Sequence, residues 1–135
     1  MSNLSLQLVS PDSDYFVGTI DMVVLPGEDG DFSVLSEHAP IITYLRPGKI
    51  TIIEEQGREH IYFVGSGFVK VENNNCQVLV DYIKRSNDLD ITKSKKELSE
   101  LLIEIESKTN ETFLESLLEK KEILQEEISF LENIN

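Results

Sequence analysis

The stretch LPGEDGDFSVLSEHAPIITYLRPGKITI, residues 25–52, decides the fold. Gly27 and Gly30 bracket a tight turn, and Phe32, Val34 and Leu35 form a short strand after it. Pro40 closes a polar link over 36–39, and Pro47 followed by Gly48 predicts a type II turn between strands at 41–45 and 49–53. These breakers leave no run in which a helical period could establish itself.

The same punctuation continues on both sides. Leu4, Leu6 and Leu8 alternate with polar residues until Pro11 stops the strand. The run 15–26 places Ile20, Met22 and Val24 on one face, with a bulge or bend at Gly18 and an end at Pro26. Downstream, Gln56 and Gly57 turn the chain into a strand at 61–64, and Gly65 and Gly67 mark close backbone approach. Asn73, Asn74 and Asn75 form a hairpin loop between 68–71 and 76–80. Turn signals at this spacing predict about eight to ten short, antiparallel strands in a sandwich or flattened barrel, here over residues 1–87.

After Asp81 the period changes. Ile91, Leu98, Leu101, Leu102 and Ile105 fall on one helical face, with Ser94 and Glu97 forming a capping box and Asp88 or Asp90 as alternative caps. A polar break at 107–110 leads to a second capping box, Thr112 with Glu115. A stripe of Phe113, Leu114, Leu117, Leu118, Leu124, Ile128 and Leu131 follows, interrupted by Lys121. Residues 88–135 are thus expected to form an antiparallel helical hairpin. No glycine or proline occurs from 68 to 135, so nothing in the sequence pins the hairpin's tip, and more than one packing of the helices is expected.

The 25 acidic and 12 basic residues give a net charge of −13. Repulsion from phosphates excludes a general nucleic-acid binder and adhesion to an anionic bilayer. There is neither a leader pattern nor an apolar run of membrane-spanning length, and a reducing compartment is expected. The single cysteine, Cys76, reads as a small apolar strand residue, and His38 and His60 are too few for a zinc site. Glu28, Asp29 and Asp31 lack calcium-loop spacing, and Ser36 and Ser66 lie in no nucleophile elbow. Glu54, Glu55 and Glu59 crowd one hairpin end, which leaves a small carboxylate-dependent hydrolase as the enzyme alternative. The other rival is a β-sandwich protein-interaction module of another complex.

Several segments, in order, carry a family resemblance: residues 25–52 with Gly27, Gly30, His38, Pro40, Pro47 and Gly48, then GSGFVKV at 65–71, the strand at 75–81, and Asp88-Leu89-Asp90. The chain resembles the epsilon subunit of the F-type ATP synthase, which corresponds to the mitochondrial delta subunit. The resemblance implies a ten-stranded β-sandwich with a C-terminal helical hairpin, in a non-catalytic subunit of the central stalk. It further implies binding of the sandwich to the gamma subunit and the c ring. Membrane association is then indirect, at the cytoplasmic face of a bacterial inner membrane, and the machine couples proton flow to ATP synthesis. Gly27, Gly30, His38, Pro40, Pro47 and Gly48 are the motif residues expected to shape the interface.

In some members the helices bind regulatory ATP or reach the catalytic alpha/beta head and restrain hydrolysis. The corresponding nucleotide motif reads Leu89-Asp90-Ile91-Thr92-Lys93-Ser94, with Lys93 in place of the family's arginine and Ser94 in place of its alanine. Lysine lacks arginine's planar fork, so Asp90 and Lys93 form a degenerate site and no cofactor is expected. Residues 111–135 hold seven glutamates against Lys120 and Lys121, which disfavours docking on an acidic head.

Overall fold

Leu4, Leu6 and Leu8 are each at most 1% exposed, so the alternation at the start of the chain does mark an inward face. In the computed structural model, which describes residues 3–107 and 111–133, residues 111–113 as backbone only, that face belongs to a ten-stranded sheet. The strands are β1 (Leu4–Ser10), β2 (Ser13–Ile20), β3 (Met22–Gly27), β4 (Gly30–Leu35), β5 (Ile41–Leu45), β6 (Gly48–Ile53), β7 (Glu59–Val64), β8 (Gly67–Glu72), β9 (Asn75–Val80) and β10 (Ile83–Arg85). Their order is β10-β7-β6-β3-β5-β8-β9-β1-β2, and β4 pairs with β3 off this path.

The sheet curls because β3 changes partner along its length. Met22, Val23 and Val24 pair with β6, whereas Gly27 pairs with Leu45 of β5. Inward residues from both arms meet in one core, including Leu25 and Val34, Ile50 and Ile52, and Val69, Val71 and Val78. Burying each such aliphatic side chain contributes about 1.5–3 kcal/mol, which the ordering of short strands largely offsets.

Three sequence expectations change. The run 15–26 is two strands, because Asp21 bends the chain and its N–H donates to Ile53 O at 2.8 Å. Ile20 stays inward, but after that bend Val23 and Leu25 are buried while Met22 and Val24 are only half-buried. The bulge lies at Tyr15, the extra residue between Asp14 and Phe16 opposite Val9 and Leu8; Gly18 pairs regularly with Leu6. Pro47-Gly48 makes no hairpin, since β5 pairs with β8 and β3, and β6 with β7 and β3. A type II turn would need positive φ at Gly48; the glycines with positive φ are Gly30 and Gly57.

Other turns follow their chemistry. Gly57, at φ 79°, closes β6 to β7 as expected, and Asn73 and Asn74, at φ 52° and 61°, form the two-residue turn that matches strand twist. Every pairing is antiparallel except β1 with β9, which runs parallel from Ser5↔Asn75 to Val9↔Leu79. Cys76 is buried in β9, and burial pushes its thiol up from 9.0 to about 12. The unfolded thiol therefore ionises first, so this group's contribution to stability is constant below pH 9 and declines as pH rises toward 12. Urea denaturation at pH 8 and 10 is expected to show a steeper alkaline loss for the native chain than for Cys76→Ala, by up to ~1.4 kcal/mol per pH unit.

The chain divides into two compact units, Met1–Arg85 and Ser86–Asn135. In the second, a 3₁₀ turn at Ser86–Asp88 precedes α1 (Ile91–Ser107) and α2 (Glu111–Asn133), which pack together. Asp90 is the cap: its Oδ1 accepts the Thr92 N–H at 2.9 Å and its carbonyl accepts the Ser94 N–H at 3.0 Å. Ser94 is therefore inside the helix, and the Ser94–Glu97 box is not used. The expected cap at Thr112 and the break at 108–110 lie outside the described side chains and residues.

Candidate functional site

The expected motif residues fall into two groups, at opposite ends of β5. At the β3–β4 turn, Gly27 and Gly30 face each other, and a Cβ on Gly27 would come within 2.6 Å of the Gly30 carbonyl. Only glycine permits that approach. Pro26 O accepts the Arg46 N–H at 2.9 Å, and the Glu28 N–H donates to Tyr44 O at 3.0 Å. The Arg46 side chain completes the grip, donating from Nη1 to Gly27 O at 3.0 Å and from Nη2 to Asp31 at 2.6 Å. Both partners of that ion pair are substantially exposed, so the charge contributes at most about 1 kcal/mol; its effect is to orient the hairpin. Gly48 lies under Pro26, where an added Cβ would meet the proline ring at 3.0 Å. Thus Gly27, Gly30 and Gly48, with Pro47 beside them in sequence, belong to one rigid end of the sheet.

His38 and Pro40 belong to the other end. There Glu37 holds a left-handed φ of 67°, a conformation that costs a residue with a side chain about 1 kcal/mol or more. Asn74 secures it, accepting the Glu37 N–H at 2.6 Å and donating to the Glu37 carboxylate at 3.2 Å. The Ser5 N–H binds Asn74 O at 2.8 Å, which ties this loop to β1 as well. Glu37, His38, Pro40, Asn73 and Asn74 line a shallow cleft of about 330 Å³. At about 3.3 Å per strand residue, the length of β5 keeps the two groups more than ~10 Å apart.

Between these ends the outer face of the sheet is apolar where a solvated face would be polar. Tyr44 of β5 pairs with Phe68 of β8, Phe68 with Leu79 of β9, and Leu79 with Val9 of β1. Ile42 and Val17 flank this row. Ile42, Tyr44 and Phe68 are 72%, 69% and 42% exposed. A row of large apolar side chains spread over four strands marks an interaction surface. None of these residues was singled out by sequence; nor was Arg46.

Of the degenerate nucleotide motif, Asp90 serves as the α1 cap and Lys93 is exposed. Ser94 donates to Glu127 of α2 at 2.8 Å. In the carboxylate hairpin, Glu54 lies 3.7 Å from Arg58 and 3.4 Å from His60. Among the described residues no group of three His, Cys, Asp or Glu side chains forms a metal centre.

Residues 3–86 match the family model of the ATP synthase delta/epsilon chain β-sandwich domain. The chain belongs to the delta/epsilon family of the ATP synthase. The ATP synthase epsilon chain of Maricaulis maris is 40% identical over 97 residues, 72% of either chain. That of Parvibaculum lavamentivorans is 35% identical over 123 residues, 91% of this chain and 93% of the relative. Solved structures share the fold at lower identity. A chain of the Euglena gracilis mitochondrial ATP synthase superposes with TM-score 0.79 at 20% identity, covering 93% of this chain and 79% of that one. A chain of the Tetrahymena thermophila mitochondrial ATP synthase central stalk and c ring gives 0.64 at 11% identity, covering 96% and 97%. As a delta/epsilon chain the protein is a non-catalytic central-stalk subunit of the F-type ATP synthase, which sets aside the hydrolase reading.

Proposed function

We propose that the N-terminal unit docks the foot of the rotary stalk, with the outer row Tyr44, Phe68 and Leu79, flanked by Ile42, covered by the gamma subunit. The observation that carries this is the exposed apolar row itself, on a sheet whose inner face already has its own core. The end built from Gly27, Gly30, Arg46, Pro47 and Gly48 is polar at its tip and rigid by its bonds, and suits the polar loops of the c ring. His38 and Pro40 shape the opposite loop. Rotation of the ring by proton flow then passes through a subunit that holds ring and stalk together without chemistry of its own. Among the described residues no helix is long and apolar enough to cross a membrane. Family membership supports peripheral attachment through the complex, which we place at the cytoplasmic face of a bacterial inner membrane. Co-purification with gamma and the catalytic head tests the reading; a chain that fails to bind gamma would overturn it.

The second unit is a weak brake. Glu115, Glu119, Glu122 and Glu126 are exposed along α2, and this charge repels an acidic catalytic head. Deleting residues 90–135 is expected to leave coupling intact and to raise ATP hydrolysis by the assembled complex less than about twofold. A several-fold rise in the steady-state ATPase rate would show that the helices do restrain the head.

A further inference from the structure

In the proposed docking, gamma covers one arm of the curled sheet and the ring meets the other. The outer row lies on β5, β8 and β9, whereas the ring-facing turn joins β3 to β4. Any load passed between them crosses the seam between β3 and β5. That seam is narrow: β5 pairs with β8 all the way from Ile41↔Val71 to Leu45↔Gly67, but among the described residues it pairs with β3 only at Gly27↔Leu45.

Arg46 reinforces it with three hydrogen bonds. Its backbone N–H donates to Pro26 O at 2.9 Å, and Pro47 disfavours helical backbone at the residue before it. The other two come from one guanidinium, Nη1 to Gly27 O at 3.0 Å and Nη2 to the Asp31 carboxylate at 2.6 Å. Gly27 ends β3 and Asp31 lies on β4, so a single side chain holds both strands of the turn to the end of β5. The planar fork suits two acceptors in fixed directions, which a lysine ammonium on its flexible stem would not hold together. The Glu28 N–H donates to Tyr44 O at 3.0 Å, which ties the turn's tip to a residue of the outer row. Residues 44–46 are thus where the two arms are fastened.

We infer that Arg46 is the positioning residue of the ring-facing turn, holding that turn in one orientation relative to the arm covered by gamma. This role rests on gamma covering the outer row and the ring meeting the turn, as proposed above. A turn free to swing about so narrow a seam would present itself to the ring in many orientations; the guanidinium fork removes that freedom. Solvent screens the exposed Arg46–Asp31 pair, so the direction of its hydrogen bonds matters more than its charge.

The test places a photoactivatable benzophenone on Asp29→Cys, at the exposed tip of the turn, and reconstitutes the labelled full chain into the assembled ATP synthase. Cys76 is 1% exposed and is spared by the label. The parent is expected to cross-link to the c ring. Arg46→Met is expected to lower that yield at least ~threefold, while leaving Tm and the affinity for purified gamma unchanged. Asp31→Asn keeps an acceptor oxygen without the charge and is expected to retain the parent yield. Should Arg46→Met lower Tm by more than a few degrees, Asp31→Ala, which removes one of the two side-chain acceptors, carries the test with a fall in the same sense. A parent that never cross-links to the ring overturns the assignment of that end of the sheet, and the inference with it. A parent that does so while Arg46→Met matches its yield overturns the inference alone. So does a loss in Asp31→Asn as large as that in Arg46→Met, or a fall in gamma affinity.

Discussion

Replacing Tyr44 and Phe68 together by aspartate is expected to weaken binding to the gamma subunit at least ~100-fold while leaving the fold intact. The two side chains are cross-strand neighbours and are already exposed, so charge there costs the isolated chain little. In a complex they would be desolvated at the centre of the contact, where two carboxylates without partners are most costly. Isothermal titration with purified gamma reads the loss, and thermal denaturation reads the unchanged fold. Leu35→Asp is the control, because Leu35 is 50% exposed but lies on β4, outside the row. If Leu35→Asp abolished binding and the Tyr44/Phe68 pair did not, the proposed docking face would be the wrong one.

The second large effect is on stability. Gly67 begins β8 opposite Val80, and a Cβ there would collide with the Leu79 carbonyl and come within 2.8 Å of a Val80 methyl. The obstacle is largely backbone, which cannot rotate away, so Gly67→Ala is expected to cost about 3 kcal/mol or more. For a unit of this size that lowers Tm by roughly 12–24 °C. Gly18→Ala provides the contrast: its Cβ would touch only the Phe16 ring, at 3.6 Å, and Tm should move by no more than a few degrees. Calorimetry of the two variants side by side distinguishes a site of close approach from a glycine that merely occupies a strand. Equal Tm values would refute the steric account.

Those two glycines also show what the sequence could convey. Gly67 was read correctly, because paired glycines between strands signal close approach; Gly18 was misread as a bulge or bend, because the extra residue, Tyr15, carries no bulge signature. The inward face of β1 was legible from three alternating leucines, and the hairpin loop from its run of asparagines, though Asn75 already belongs to β9 and the turn itself is Asn73-Asn74. The partners of β5 and β6 were not. A proline-glycine pair predicts a reversal, and only the long-range contacts of β3 reveal that the chain crosses between the arms of the sheet there. Arg46 escaped notice for the same reason, since its partners lie 15 and 19 residues away. The outer row was invisible because both faces of β5 are apolar, and alternation cannot rank two apolar faces.

The parallel pairing of β1 with β9 has a consequence for how the molecule is made. Ser5 must find Asn75, so β1, made before the other strands of the sheet, cannot take its second neighbour until nearly all of the sheet has been synthesised. In the interval β1 and β2 are a lone hairpin whose leucine face lacks its opposite wall, a state of marginal stability and high stickiness. Closing so long a loop is slow, and folding of the first unit should await this step. Nascent chains cut short before β9 are therefore the ones expected to need chaperones, and those extended beyond Val80 the first able to shelter their leucines.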